Sequence, residues 1–225
     1  MISVEDALVA LEAGADPAQS AEMMAYHKAP RRYLGLAVPE VEALVAGWRE
    51  GASVEDRVAL AAGLWGSDIH EARIAAAKLL VQARMRPDDA AWALICDWVQ
   101  GFDAWALADH ASVAGAKRLM ADPARLDVVE GWTVSGNMWT RRAALVMTTP
   151  WAKMANPKAA DLAVRERVLG WAGALVSDRD WFMQKAVAAW VRDLSKHDPN
   201  RARAFVDGPG IGLKAFARKE AARYL

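Results

Sequence analysis

The stretch FDAWALADHA places Trp105 and Asp109 four residues apart. On a helix that spacing puts both side chains on one face, about one turn from each other. An indole face attracts cations, and a carboxylate beside it stabilises positive charge. An exposed pair of this kind can stack on an apolar or cationic surface while stabilising positive charge. A core tryptophan beside a solvated aspartate has the same spacing. In NMWTRRAALV, Arg141 and Arg142 fall in the first turn of a helix. Two guanidinium forks at a helix N-terminus make a phosphate cradle, or else a surface ion pair. In DWFMQKAVAAWVRDLSKHDP, Gln184 and Lys185 occupy the first turns and Trp190 follows, as a core residue or a stacking platform. His70-Glu71 and Asp109-His110 lack the spacing of a metal-binding helix motif. The glycines of GPGIG, Gly208–Gly212, follow no strand and read as a turn. No Walker motif and no Ser/His/Asp arrangement can be assembled.

Helices must position these residues. Ser3 caps one to about Ala13, and Asp16-Pro17 opens one to about His27. Pro39 opens a helix to about Glu50, stopped by Gly51. Ser53 with Asp56 makes a capping-box-like start for a helix ending near Trp65. Asp68 starts IHEARIAAAKLLVQARM, whose periodicity predicts a helix up to Pro87; Asp88 starts the next, to about Gln100. Further helices fit 103–120, 123–133, 136–148, 157–176, 180–197, 199–206 and 213–224. Alternating β-branched runs are nearly absent, so the chain reads as all-α. A basic residue, one spacer and two alanines recur as RIAA (Arg73–Ala76), RRAA (Arg141–Ala144) and KEAA (Lys219–Ala222). The intervals of 68 and 78 residues each hold about two helix pairs of HEAT-like size, roughly 35–45 residues. Small alanines let paired helices approach closely. The expectation is an α-α superhelix, a curved solenoid of HEAT-like pairs forming one domain over 1–225.

The 225 residues are 54% apolar, enough for a substantial core. No apolar run reaches the roughly 18 residues of a membrane span. The acidic start MISVEDALVALEAG does not resemble an export signal. Cys96 is the only cysteine, so neither an internal disulfide nor a cysteine-rich zinc site is expected, and a cytoplasmic location follows. The net charge is zero, but its distribution is uneven. Residues 1–140 carry 12 Lys and Arg against 20 Asp and Glu, a balance of −8. Residues 141–225 carry 16 against 8, a balance of +8. That asymmetry points to a basic surface for an anionic partner.

Taken in order, YLGLAVPEVEAL, LWGSDIHEARIAAAKLL, WALAD, NMWTRRAALV, FMQKAVAAWVRDLSKHDP and LKAFARKEAARYL cover nearly the whole chain. Together they resemble the bacterial DNA alkylation repair family, the HEAT-like repeat alkylpurine DNA glycosylases of the AlkD type. The resemblance implies excision of positively charged N-alkylated purines, such as N7-alkylguanine and N3-alkyladenine, from duplex DNA without base flipping. It also implies a monofunctional enzyme without metal or cofactor. By motif, Trp105 corresponds to a stacking tryptophan and Asp109 to the catalytic carboxylate. Arg142, with Arg141 beside it, corresponds to the phosphate contact, and Lys185 lies in a QKA motif assigned to backbone binding. The place of the family's second tryptophan holds Ala189; Trp190 is one position later, about 100° around the helix. Either Trp190 substitutes as a DNA contact or that aromatic wall is missing. Duplex DNA is the expected partner of a monomer that does not engage membranes. The alternatives are a DNA-binding solenoid without excision, on duplex or branched DNA, and a protein-interaction scaffold.

Overall fold

Ser3 Oγ accepts the backbone N–H of Asp6 at 3.0 Å and starts α1 (Val4–Ala13). Asp16 Oδ1 accepts from Ala18 N and Gln19 N at the start of α2 (Pro17–His27). α3 (Val38–Arg49) opens with Pro39 in its first turn. Ser53 and Asp56 exchange side-chain and backbone hydrogen bonds to open α4 (Val54–Gly66). α5 (His70–Leu79), α6 (Asp89–Gln100) and α7 (Trp105–Ala121) complete this set. In the computed structural model, which describes residues 2–225, the chain is all-α; among the described residues the only β feature is an isolated bridge between Arg32 and Ile69. The helices gather into two compact units, Met1–Ala121 and Asp122–Leu225.

In the first unit α5 is central, packed on α3, α4 and α7. Its alanines Ala72, Ala75, Ala76 and Ala77 are fully buried, and their small size lets three helices close around it. The Glu71 side chain is buried with them. Its carboxylate accepts the backbone N–H groups of Leu34 at 2.9 Å and Gly35 at 2.8 Å, which fastens the α2–α3 loop onto α5. Gly35 has φ +94°, and a Cβ there would lie 2.2 Å from the Asp16 carbonyl oxygen, so only glycine fits that close approach.

α5 ends at Leu79, well before Pro87, which corrects the longer helix expected from periodicity. The fully buried Arg118 of α7 explains the early stop. Its guanidinium donates to the carbonyls of Gln82 and Met85 and to Asp88 Oδ2 at 3.0 Å. The carbonyls after Leu79 therefore bond across to α7 instead of continuing the helical ladder.

The second unit holds α8 (Leu126–Trp132), α9 (Met138–Met147), α10 (Thr149–Ala152), α11 (Ala159–Leu175), α12 (Trp181–Ser195), α13 (Pro199–Asp207) and α14 (Ala215–Ala221). α12 is central here, packed on α9, α13 and α14. Its apolar stripe Met183, Val187, Trp190, Val191 and Leu194 is 0–1% exposed and follows the helical period. The short α10 was not expected. Arg165 of α11 holds it, donating from Nε to the Trp151 carbonyl at 2.7 Å.

Candidate functional site

Trp105 is the first residue of α7 and is half-buried. The segment before it is held by Arg31, whose buried guanidinium pairs with Asp103 and lies 3.5 Å from Asp68. Asp109 follows one turn later on the same helix and is also half-buried. The pair expected from spacing thus lies one turn apart on α7, both members half-buried.

A residue the sequence reading missed joins it. Tyr26, at the end of α2 and 70% exposed, sets its ring edge-on to Trp105, with centroids 5.9 Å apart and planes at 87°. No sequence signal links these residues, because the contact joins helices far apart in the chain. Behind them lies a stack of rings. His27 is 5.2 Å from Trp105 and 4.5 Å from His70, and it lies parallel to Tyr33 at 5.9 Å. Nδ1 of both His27 and His70 is buried without a hydrogen bond, so the imidazoles serve as flat packing discs.

Burial keeps these discs neutral. It pushes the His70 pKa down to about 3, with the His27 and Arg31 charges adding to the effect, and it lowers His27 as well. The unfolded chain binds the His70 proton near the ordinary histidine value of 6.5, the folded chain only near 3. The stability that depends on neutral His70 is therefore complete above about pH 6.5 and declines as pH falls toward 3. Between pH 7 and pH 5 the His70 contribution to unfolding free energy is expected to fall by about 2 kcal/mol, measured by urea denaturation. His70→Phe should flatten that part of the pH dependence. The carboxylates with lowered values, Glu42, Glu130 and Glu166, titrate below this window.

His110, the residue after Asp109, lines a cavity of about 290 Å³ with Glu42, Val45, Arg49, Lys78 and Val113. Lys78 pairs with Glu42 there, and burial lowers the His110 pKa.

The other expected residues lie in the second unit. Asn137 Oδ1 caps α9 by accepting the Trp139 N–H at 2.9 Å, which sets both arginines near the start of the helix. Arg141 is not the phosphate fork expected of it. Its Nε and Nη2 donate to Asp178 at 3.1 and 2.7 Å, and its Nη1 donates to the carbonyls of Ser135 and Gly136. That guanidinium is held by the fold. Arg142 is half-buried, with its guanidinium carbon 5.9 Å from the Trp139 ring centroid. Lys185 is exposed, its ammonium 4.5 Å from the Trp181 ring.

Trp190 corrects a second expectation. It is 1% exposed and sits in the apolar stripe of α12, so its ring faces the core and cannot receive DNA. The stripe itself carried that signal, since Met183, Val187, Trp190 and Leu194 repeat at helical spacing. The exposed tryptophan of α12 is Trp181, at 50%. Trp139, Phe182 and Trp181 form a chain of ring contacts from α9 to the start of α12, with centroids 4.6 and 5.0 Å apart. That chain links the helices bearing Arg142 and Lys185.

Part of this unit's charge is taken up in ion pairs. Arg167 pairs with Asp127 and Glu130, Arg192 with Asp193 and Glu220, and Arg201 with Glu166. Arg179, Lys185, Arg218 and Lys219 are exposed. Among the described residues no helix is long and apolar enough to cross a membrane.

Comparison with known proteins adds to this geometry. The sequence profile of a family described as DNA alkylation repair enzyme matches residues 7–225. In fold, the chain is similar to a predicted DNA alkylation repair enzyme from Enterococcus faecalis, with TM-score 0.78 and 19% identity over 94% of this chain and 96% of that one. It is also similar to AlkD2 from Streptococcus mutans, with TM-score 0.62 and 18% identity over 83% and 89%. The smu.31 protein of Streptococcus mutans UA159 gives 0.63 and 19% over 84% and 92%. No curated protein matches the sequence.

Proposed function

Because the chain belongs to the DNA alkylation repair enzyme family, with a role in the repair of alkylated DNA, we propose that it is a DNA glycosylase for cationic N-alkylated purines in duplex DNA. The observation that carries this reading is the placing of Asp109 and Trp105 one turn apart on α7, both half-buried, with the exposed Tyr26 ring against the indole. The family profile spans both compact units, which supports one functional repeat domain of HEAT-like helix pairs.

The chemistry needs few groups. An N7- or N3-alkylated purine carries a positive charge and is already a good leaving group. When its glycosidic bond breaks, the electron pair leaves with the base, which departs neutral, and positive charge develops on the sugar. Asp109 stabilises that charge and takes a proton from the water that adds to the sugar carbon. The faces of Trp105 and Tyr26 stabilise the cationic nucleotide, a contact worth about 0.5–2 kcal/mol each. A carboxylate and rings on a helix surface can act from the groove, so the base need not be extruded. Arg142 and Lys185 hold the phosphate backbone, and the protein works as a monomer in the cytoplasm.

The decisive experiment is incubation of the purified protein with duplex DNA bearing 7-methylguanine, with free base measured by chromatography. Base release supports excision. Salt-sensitive duplex binding without release supports the second reading, a DNA-binding protein that does not excise. Ala189 at the place of a second tryptophan, with Trp190 buried, favours that reading. In either case Arg142→Ala is expected to weaken duplex binding uniformly across sequences. The slope of log affinity against log salt should fall by about 1, as measured by fluorescence anisotropy.

A further inference from the structure

Trp181 and Phe216 are large rings left open on adjoining helices, 50% and 41% exposed. Their centroids are 6.4 Å apart and their planes are tilted by only 29°. The base-release chemistry uses neither. Both stand on a rigid frame. Gln184, fully buried in α12, donates from Nε2 to the carbonyls of Val176 at 3.0 Å and Asp178 at 2.6 Å. Its Oε1 accepts the Lys214 N–H at 2.7 Å, the residue that opens α14. One amide thus ties the start of α12 to the start of α14 and fixes the two rings relative to each other.

The surroundings are cationic. Lys185 lies 4.5 Å from the Trp181 centroid, and the Lys214 ammonium donates to the Arg179 carbonyl at 2.6 Å. Arg179 and Lys185 are exposed, and Arg218 and Lys219 extend the charge along α14. Of the acids at this end, Asp178 is paired with Arg141, and Asp180 caps α12 by accepting the Phe182 N–H at 2.7 Å.

We propose that Trp181 and Phe216, flanked by Lys185 and Arg179, form a stacking site for unpaired nucleobases of single-stranded DNA. Near-parallel exposed rings receive the flat face of any base, while the cations take the adjoining phosphates. Paired bases in an intact duplex hide their faces, so the site distinguishes unpaired from paired DNA. The proposal rests on DNA as the partner and not on excision. Undamaged DNA tests it, so its failure is separable from a failure of base release.

The test compares anisotropy titrations of labelled oligothymidylate and of an intact undamaged duplex. Trp181→Ala and Phe216→Ala are each expected to lower oligothymidylate affinity roughly 5- to 100-fold. Duplex affinity should change by less than about 2-fold, and Trp181→Phe should retain most of the single-strand affinity. Both rings are surface residues, and circular dichroism checks that the variants fold. Parallel losses on both DNAs would overturn the proposal, because the rings would then only shape a general DNA surface. Unchanged single-strand binding in both variants, or no measurable wild-type affinity for oligothymidylate, would overturn it too.

Discussion

Asp109→Asn is expected to cut release of 7-methylguanine from alkylated duplex by roughly 10²- to 10³-fold, with duplex affinity kept within about 2-fold. The substitution keeps shape and removes charge. Asp109 is half-buried at the surface of α7, so the amide fits where the carboxylate stood. What is lost is the negative charge facing the sugar as its bond to the base breaks, together with the acceptor for the water proton. Removing one preorganised electrostatic partner of a developing charge costs rates of this order. Binding to phosphates does not need a carboxylate and tightens slightly if anything changes. Single-turnover release measured beside a binding titration separates the two effects. Equal release by both proteins would remove Asp109 from the mechanism while leaving DNA recognition intact.

Glu71→Ala is expected to lower unfolding free energy by about 2–5 kcal/mol, measured by urea denaturation. The carboxylate receives two backbone N–H groups, from Leu34 and Gly35, in a fully buried setting. Alanine leaves both donors without a partner, and each buried orphan costs about 1–3 kcal/mol. The damage also reaches the site. The loop that Glu71 fastens carries Tyr33, which stacks on His27 behind Trp105. Loss of base release beyond the fraction unfolded would show that the loop positions the indole. Glu71→Gln keeps one acceptor oxygen and is expected to recover part of the stability.

Much of the helical layout could be read directly from local chemistry. Ser3, Asp16 and Ser53 each accept backbone N–H groups at the helix starts where their types place caps. The spacing of Trp105 and Asp109 on one helix could be read in the same way. Distant partners were not legible. The end of α5 depends on Arg118, a residue of another helix whose guanidinium takes the carbonyls after Leu79. Nothing in the type of Arg141 or its neighbours foretold that Asp178 and two loop carbonyls would hold it. Trp190 and Trp181 share α12, but only one lies on its apolar stripe.

The sequence alone determined the all-α class, most helix starts, the basic C-terminal segment, and the indole and carboxylate one turn apart. Those features depend on hydrogen bonds and periodicities within a few residues. Tertiary structure alone decided which tryptophan of α12 is open, that Arg141 is held by Asp178, where α5 stops and that Tyr26 meets Trp105. Each of those outcomes turns on contacts between helices distant in the chain. Residue type does not encode which partner will satisfy a buried polar group or cover a ring.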